Sequence, residues 1–270
     1  MKTFFQKWLI YSLFLLIFAS CAQRAEPVDM EDCLLEQSPY DLAESYFGEE
    51  DTVTLLVRFI KFNPEVGGMS VDTQRVYKAF EGLNAKFLPA KIQFKLLEIV
   101  EILDTDAYTH IKDFKFHILS FKKTTRRTYK LPAIDVFIYP PSPEFYPGAA
   151  LGIPSDALFI QNHMIYSSTL IHEMGHVLGL HHTHSGNGNG YDKGDYICDL
   201  PNVNPITNLI DANCAYRGLT QLSDEEMKEV IENYMTYSRK ECRVAFTSDQ
   251  IDRMRTTIEK YPILIEKIIL

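Results

Sequence analysis

The chain has 270 residues, a formal net charge of −9 at pH 7 and a hydrophobic content of 46%. This composition is typical of a globular protein, and the length allows one large domain or two lobes with a substantial core. The acidic balance argues against nucleic acid as a partner, because nucleic acids attract basic surfaces.

The first 20 residues predict a signal peptide. Lys2 and Lys7 precede an apolar run over residues 8–19, which is too short for a membrane span because a transmembrane helix needs about 20 apolar residues. The tetrapeptide Phe-Ala-Ser-Cys at residues 18–21 resembles a lipobox, which would make Cys21 the lipidated N-terminus. We therefore expect an exported protein. It is either a cell-envelope lipoprotein held in the outer membrane or at the cell surface through a lipid anchor on Cys21, or a secreted protein cleaved near residue 22.

Removal of the signal peptide takes away two lysines and no acidic residue, so the net charge changes from −9 to −11. Residues 21–51 are acidic and show no periodicity, which indicates a tether or a short pro-segment. Disulfides persist in exported proteins. If Cys21 is acylated, four cysteines remain and three pairings are open. These cysteines are Cys33, Cys198, Cys214 and Cys242.

The following residues predict an α+β domain that begins near residue 52. Helical spacing of apolar residues indicates an amphipathic helix over 71–88. Alternation or continuous apolar character indicates strands at 53–62, 92–96, 114–118, 134–139 and 157–160. This order predicts a mixed sheet with a backing helix. Residues 149–152 are small and lie near the expected cleft, so they are either a sheet edge that receives a peptide backbone or a surface loop.

A histidine-rich stretch follows. In a helix, His172 and His176 lie four residues apart on one face, where two imidazoles can bind one metal ion, and Glu173 leans toward the same ion. Gly179 lets the chain turn, so that His182 arrives from outside the helix. Three histidines with an open fourth position are the arrangement of a catalytic zinc site rather than a structural one.

The C-terminal part contains further signals. Asp195 and Asp199 lie beside a glycine-rich turn at residues 186–190, which indicates either a calcium site or a solvated polar loop. Capping boxes at Ser223 and Thr247 predict two helices, the second over about 248–261. The apolar tail 262–270 is too short to cross a membrane.

The extended zinc motif and a later methionine-bearing turn together resemble the metzincin signature. The turn is Asn-Tyr-Met-Thr-Tyr-Ser at residues 233–238. Residues 194–201, Gly-Asp-Tyr-Ile-Cys-Asp-Leu-Pro, are similar to the G-D-x-x-x-D-T-P segment of the pappalysin (cytophagalysin) metallopeptidases. Cys242 and the Phe-Thr-x-x-Gln run at residues 246–250 resemble the same family. The resemblance covers roughly residues 52–261.

The resemblance implies a two-lobed metzincin-like catalytic domain over residues 52–270. Its upper lobe, 52–182, would hold a twisted mixed sheet with a backing helix and the active-site helix. Its irregular lower lobe, 183–270, would hold the Met-turn and the C-terminal helix. The implied protein is a monomeric zinc endopeptidase that cuts protein or peptide substrates.

The resemblance also implies residue roles. His172, His176 and His182 would bind Zn²⁺, and Glu173 would be the general base that takes a proton from zinc-bound water. Met235 would form the floor under the metal, and Tyr237 would help to stabilise the oxyanion. Cys214 and Cys242 would form a disulfide. Asp195 and Asp199 would bind Ca²⁺, although Leu200 replaces the usual threonine of that segment.

Two questions stay open at this point. Cys33 could form a disulfide with Cys198, or its thiolate could occupy the open zinc position and keep the enzyme latent. The alternative to an endopeptidase is a catalytically silent, metzincin-fold surface lipoprotein that only binds its partner.

Overall fold

A computed structural model describes residues 47–48, 50–67, 71–105, 131–141, 146–185 and 195–269. Within these ranges, five strands form one sheet in the order β2-β1-β3-β5-β4. The strands are β1 (Val53–Asn63), β2 (Ile92–Leu103), β3 (Ile134–Tyr139), β4 (Gly148–Ala150) and β5 (Ala157–Gln161). Four strands run parallel and β4 alone is antiparallel, so the sheet is mixed and β4 is its edge next to β5.

Both faces of the sheet are buried. Leu55, Val57 and Phe59 of β1 belong to the main core, whereas Ile60 and Phe62 belong to a second cluster on the other face. Successive side chains of a strand point to opposite faces, so odd-numbered and even-numbered residues of β1 enter different clusters. A strand buried on both sides needs apolar residues at nearly every position, which is the pattern that the sequence shows at 53–62.

Helix α1 (Thr73–Phe87) packs on the sheet through Val76, Leu83 and Phe87. Helix α2 (Ser168–Val177) begins at the N-cap Ser167, whose hydroxyl accepts a hydrogen bond from the Thr169 backbone N–H. It is buried along almost its whole length and lies against β4 and β5.

Three further helices are α3 (Asp224–Glu232), α4 (Ser248–Lys260) and α5 (Pro262–Ile265). Both expected capping boxes are present, with Ser223 and Thr247 as N-caps. Met254 and Ile258 of α4 belong to the same core cluster as the sheet, so this helix joins the lower part of the molecule to the upper part.

The C-terminal tail also contacts the sheet. The Leu56 N–H donates to the Lys267 carbonyl and the Ile269 N–H donates to the Thr54 carbonyl, both at 2.9 Å. Because β3 pairs with β1 only from Val57 onward, the tail occupies the free edge of β1 before that point.

The structure confirms the α+β class and the mixed sheet with its backing helix. Strand β2 continues to Leu103, beyond the predicted 92–96, and pairs with β1 up to that residue. The sequence did not indicate this extension because residues 97–103 lack regular alternation. The strand predicted at 114–118, the signal peptide and most of the tether lie outside the described residues. No helix in the described ranges has the length and apolar character to span a membrane.

Candidate active site

Three histidine side chains converge on one point beside α2. Nε2 of His182 lies 3.1 Å from Nε2 of His172 and 2.9 Å from Nε2 of His176. In the part of the chain that is described, these histidines form the one cluster of His, Cys, Asp or Glu side chains with metal-binding geometry. The neighbouring His181 and His184 are not members of it.

The hydrogen bonds of two of these rings fix their tautomers. Nδ1 of His172 donates to the Tyr234 carbonyl and Nδ1 of His176 donates to the Leu180 carbonyl, each at 2.6 Å. A carbonyl oxygen can only accept, so both Nδ1 atoms carry the proton and both Nε2 atoms present a lone pair. Lone pairs that face one another repel unless a cation lies between them, so the donor set fits Zn²⁺.

The same cluster resists protonation. Burial, followed by the charges of the neighbouring histidines, lowers the pKa of His172 well below 6.5. Burial lowers the pKa of His176 to about 4 and that of His182 to about 3. All three rings are therefore neutral at pH 7, which is the state that binds a metal.

Gly179 turns the chain between the second and third histidines. Its φ is +97°, a backbone conformation that residues with a Cβ rarely adopt. A Cβ at this position would lie 2.5 Å from Oγ1 of Thr257 in α4. The turn brings Leu180 into position to accept from His176 and leads to His182.

Glu173 lies beside the histidines in a buried position. Its Oε2 accepts a hydrogen bond of 2.9 Å from the Ala150 N–H in β4. Desolvation raises the pKa of Glu173 to about 8, while the Ala150 N–H and the positive charge of Arg243 act in the opposite direction. A carboxyl whose pKa lies near 7 can accept and release a proton at neutral pH.

The close approach of β4 depends on Gly148. A Cβ on Gly148 would lie 2.9 Å from Cγ of Glu173 and 3.0 Å from Cγ2 of Thr169. Only a residue without a side chain lets the strand run this near to α2.

The turn at residues 233–238 lies directly beneath the histidines. The Tyr234 carbonyl accepts from His172, and Met235 packs so closely under α2 that a Cβ on Gly175 would lie 2.6 Å from its Sδ. Asn233 exchanges two side-chain hydrogen bonds with Gln250, at 2.8 and 3.1 Å. Gln250 also caps α4, so one amide links that helix to the turn below the histidines.

Tyr237 lies at the open side of the cluster. Its ring centroid is 4.6 Å from that of His182 and 6.0 Å from that of His172, and 38% of the residue is exposed. His184 stacks on His182 with a ring separation of 4.8 Å, and its centroid is 4.4 Å from that of Tyr237. Sequence reasoning did not predict this packing.

The lower lobe has its own small core, which a disulfide closes. Cys214 and Cys242 are bonded, as the family resemblance implied. The surrounding cluster includes Met227, Val230 and Ile231 of α3. Cys198 is disulfide-bonded as well. Cys33 and Cys21 lie outside the described residues, so their expected roles stay predictions.

The two candidate calcium ligands lie near each other. Desolvation raises the pKa of Asp195 to about 7, and the charge of Asp199 adds to this rise. Asp199 Oδ2 accepts from the Asp249 N–H at 2.9 Å, whereas its buried Oδ1 has no hydrogen-bond partner. Arg253 supplies a nearby positive charge that lowers the pKa of Asp195.

Sequence reasoning also missed Lys240 and Arg243. Both follow the 233–238 turn, and the charge of Arg243 affects the pKa of Glu173, Tyr237 and two of the histidines. No motif marked these residues, because isolated basic side chains after a turn are ordinary surface composition.

Comparison with known proteins gives three findings. Residues 155–259 match the Peptidase M43 family, described as Pregnancy-associated plasma protein-A. An extracellular metalloprotease of Aspergillus fumigatus is 37% identical over 94 residues, which are 34% of this chain and 28% of that protein. An extracellular metalloprotease of Aspergillus oryzae is 37% identical over 97 residues, or 35% of this chain and 28% of that protein. The chain thus spans less than a third of the length of these curated relatives.

A solved structure extends the likeness to the fold. Mature mirolysin of Tannerella forsythia, in complex with a cleaved peptide, superposes with a TM-score of 0.57 and 18% sequence identity. The match covers 82% of this chain and 97% of mirolysin. The three-histidine cluster lies within residues 155–259, the part of the chain that is similar to the Peptidase M43 family.

Proposed function

We propose that the protein is a zinc-dependent endopeptidase. The observation that carries this proposal is the convergence of three Nε2 atoms beside a buried carboxylate, at the free edge of a sheet. The extracellular metalloproteases of Aspergillus, which are similar to about a third of this chain, support the same activity.

In this proposal His172, His176 and His182 hold the zinc ion. The backbone carbonyls of Tyr234 and Leu180 keep the first two rings in the tautomer that leaves Nε2 free. When bound, zinc would polarise the scissile carbonyl and make a water molecule more acidic.

The chain's own residues then move the protons. Glu173 takes the proton of the attacking water and later passes it to the leaving amine. Its hydrogen bond to Ala150 holds the carboxylate in one orientation. Tyr237 lies near enough to the histidines for its hydroxyl to stabilise the developing oxyanion. Burial raises the pKa of Tyr237, so the hydroxyl stays protonated and can donate.

We further propose that the substrate is a polypeptide that lies along β4. This strand ends the sheet within the described residues, and apart from the Ala150 N–H, which donates to Glu173, its outward backbone groups are available to a partner strand. Pairing with a sheet edge recognises the peptide backbone and is indifferent to most side chains. Mirolysin, the structural neighbour, was solved with a cleaved peptide.

The proposed site of action is outside the cytoplasm. The Cys214–Cys242 disulfide and the extracellular Aspergillus relatives support export. We propose that Cys21 carries a lipid anchor to the cell envelope. Incorporation of labelled palmitate into the full chain tests the anchor, with Cys21→Ser as the control. Equal labelling of both proteins would disprove it.

We also propose a calcium ion between Asp195 and Asp199. The Oδ1 of Asp199, which has no hydrogen-bond partner among the described residues, and the rise that the Asp199 charge causes in the pKa of Asp195 support it. Calcium should raise the melting temperature of the wild-type protein and leave that of Asp199→Asn unchanged. If calcium has no effect on the wild type, Arg253 is the sufficient counter-charge for these carboxylates.

Digestion of casein and of a fluorogenic peptide tests the proposed activity. Cleavage should disappear when a zinc chelator is added and return with added Zn²⁺. A metal-loaded, correctly processed protein without chelator-sensitive cleavage would instead support the catalytically silent binding lipoprotein.

A further inference from the structure

Two basic side chains, Lys240 and Arg243, follow the 233–238 turn, and neither forms a salt bridge with an acidic side chain in the part of the chain that is described. Lys240 and Cys242 bound a short 3-10 helix, and Arg243 follows it immediately. This segment is docked against the active-site helix, because the Ser168 hydroxyl donates to the Lys240 carbonyl at 2.8 Å. The segment that carries both cations is therefore held against the first turn of α2, and Glu173 lies further along the same helix.

The guanidinium of Arg243 is partly buried and poorly satisfied. Its Nη2 donates to the Ser238 carbonyl at 2.6 Å, and this is its one hydrogen bond within the described ranges. Its Nε is buried without any partner. Arginine has five N–H donors, so most of its capacity is unused. Leaving the donors of a partly buried cation unsatisfied is costly, so a ligand that accepted from them would be bound favourably.

Arg243 also acts directly on the site. It is close enough to Glu173 and Tyr237 for its charge to lower the pKa of both groups. Tyr237 precedes Ser238, the residue that accepts from Arg243, so the guanidinium lies just behind the proposed oxyanion donor.

Lys240 reinforces this local positive charge. Its Nζ contacts Sδ of Met164 at 3.2 Å, and a thioether is only a weak acceptor. Burial and the charge of Arg243 lower the pKa of Lys240. The nearby Glu241 has a side chain that is 72% exposed and pairs with Arg239 at 3.6 Å. Its negative charge raises the pKa of both Lys240 and Arg243, but water screens a charge that is this exposed.

The sign of the local charge is opposite to that of the whole chain. The protein has a formal net charge of −9. Two carboxylates, Glu173 and Glu241, raise the pKa of Arg243. Glu241 is exposed, and the buried Glu173 has to exchange a proton in the proposed mechanism. An additional anion would fit here, and a substrate can supply one.

We propose that Arg243, assisted by Lys240, forms a specificity pocket that binds a substrate carboxylate next to the scissile bond. This inference rests on the proposed peptidase function and adds its substrate class. The planar guanidinium can bind a carboxylate through two parallel hydrogen bonds. The enzyme therefore cuts preferentially beside aspartate or glutamate. The free C-terminal carboxylate of a peptide offers the same chemistry, and the test distinguishes it from the carboxylates of aspartate and glutamate side chains.

The first measurement uses matched peptides with both ends blocked. Peptides with Asp or Glu on either side of the cleaved bond should have a kcat/KM roughly 30-fold or more above those with Asn or Gln. A parallel set with neutral side chains and a free C-terminus shows whether the chain terminus can replace the acidic side chain. Preference in either set supports a carboxylate pocket, and preference in neither overturns it.

The variants assign that preference to the two cations. Arg243→Gln should lose most of the preference for acidic peptides. Lys240→Glu should lower kcat/KM for acidic peptides and raise it for lysine-containing peptides. Lys228→Glu, an exposed change of the same charge on α3, should leave the preference unchanged. If Arg243→Gln lowers the turnover of all peptides by the same factor, the residue only positions Tyr237 and Glu173 and the pocket is disproved.

A binding measurement separates this inference from the proposed function. Zinc-loaded Glu173→Gln is expected to bind without cleaving, and fluorescence anisotropy gives its affinity for the blocked acidic and amide peptides. If the wild-type protein cleaves none of the peptides, Arg243-dependent binding of the acidic peptide to the zinc-loaded variant would retain the pocket and remove the peptidase function. Cleavage without any acidic preference would retain the function and remove the pocket.

Discussion

Replacing Gly179 by alanine should destabilise the protein through two separable effects. The first is backbone strain, because φ at this residue is +97°. The second is a collision, because the new Cβ would lie 2.5 Å from Oγ1, 2.8 Å from Cγ2 and 3.1 Å from Cβ of Thr257. Thr257 cannot move away easily, since it is buried and its hydroxyl donates to the Arg253 carbonyl at 2.7 Å.

The expected size follows from these two effects. A non-glycine residue in the left-handed region costs about 1–2 kcal/mol. Overpacking a buried site costs about 1–3 kcal/mol. Gly179→Ala should therefore lower the free energy of unfolding by about 2–5 kcal/mol, which is a large part of the roughly 5–15 kcal/mol of a typical domain.

Urea unfolding of the chelator-treated protein measures this loss without a contribution from bound metal. Thr257→Ala removes both atoms of the worst contact, so the double variant should recover about 1–3 kcal/mol and keep only the backbone strain. Gly82→Ala is the matched control. It lies in α1 with nothing within 4 Å of the added Cβ, and it should stabilise the protein by about 0.5–1 kcal/mol.

Two results would refute this reasoning. A loss below about 0.5 kcal/mol for Gly179→Ala would mean that the turn can change its conformation freely. If the stability losses of Gly179→Ala and Thr257→Ala simply add in the double variant, Thr257 does not limit the space at the turn.

Further predictions concern the metal ligands, the disulfide and pH. His182→Ala should weaken zinc binding by more than about 100-fold, whereas His184→Ala should keep one zinc per chain, as metal analysis of the purified proteins can determine. Equal zinc content in both variants would exclude His182 as a ligand. The Cys214–Cys242 disulfide joins residues 28 positions apart, and its removal should lower the free energy of unfolding in urea by about 3–4 kcal/mol. An unchanged urea midpoint would contradict that prediction. Burial raises the pKa of Glu173 from 4.5 to about 8, so the folded, metal-free protein binds this proton more tightly than the unfolded chain. The lowered pKa values of the three histidines act in the opposite direction below pH 6.5 and are shared by both proteins, so the stability of the wild type relative to that of Glu173→Gln should fall between pH 4.5 and 8.

The zinc-binding segment was predictable from sequence because its chemistry is local. His172 and His176 needed only the four-residue spacing of a helix, and Gly179 marked the turn before His182. The capping boxes at Ser223 and Thr247 were equally readable, since each depends on residues three positions apart.

The parts that sequence reasoning missed depend on contacts between distant segments. Ala150 meets Glu173 through a backbone N–H, which no residue type reveals. Gly148 looked like part of a loop, although its missing side chain is what allows β4 to approach α2. The basic character of the pocket near Arg243 arises because the 3-10 helix docks on Ser168, 72 residues away in the chain from Lys240.

The tail shows the same limit. Residues 262–270 had no assigned role from composition alone. In the structure Lys267 is buried near Asp156 at 3.7 Å, and the following residues pair with the start of β1. The space they fill exists because β3 begins late, at Ile134, opposite Val57.

The most direct test of the central claim is the turnover of Glu173→Gln at equal zinc content. Glutamine can still accept the Ala150 hydrogen bond and leaves the three histidines untouched, but it cannot take a proton. We expect one zinc per chain in both proteins and a fall in peptide hydrolysis of about 10²–10⁴-fold in the variant. Hydrolysis at the wild-type rate by zinc-loaded Glu173→Gln would contradict the assignment of Glu173 as the general base and the mechanism built on it.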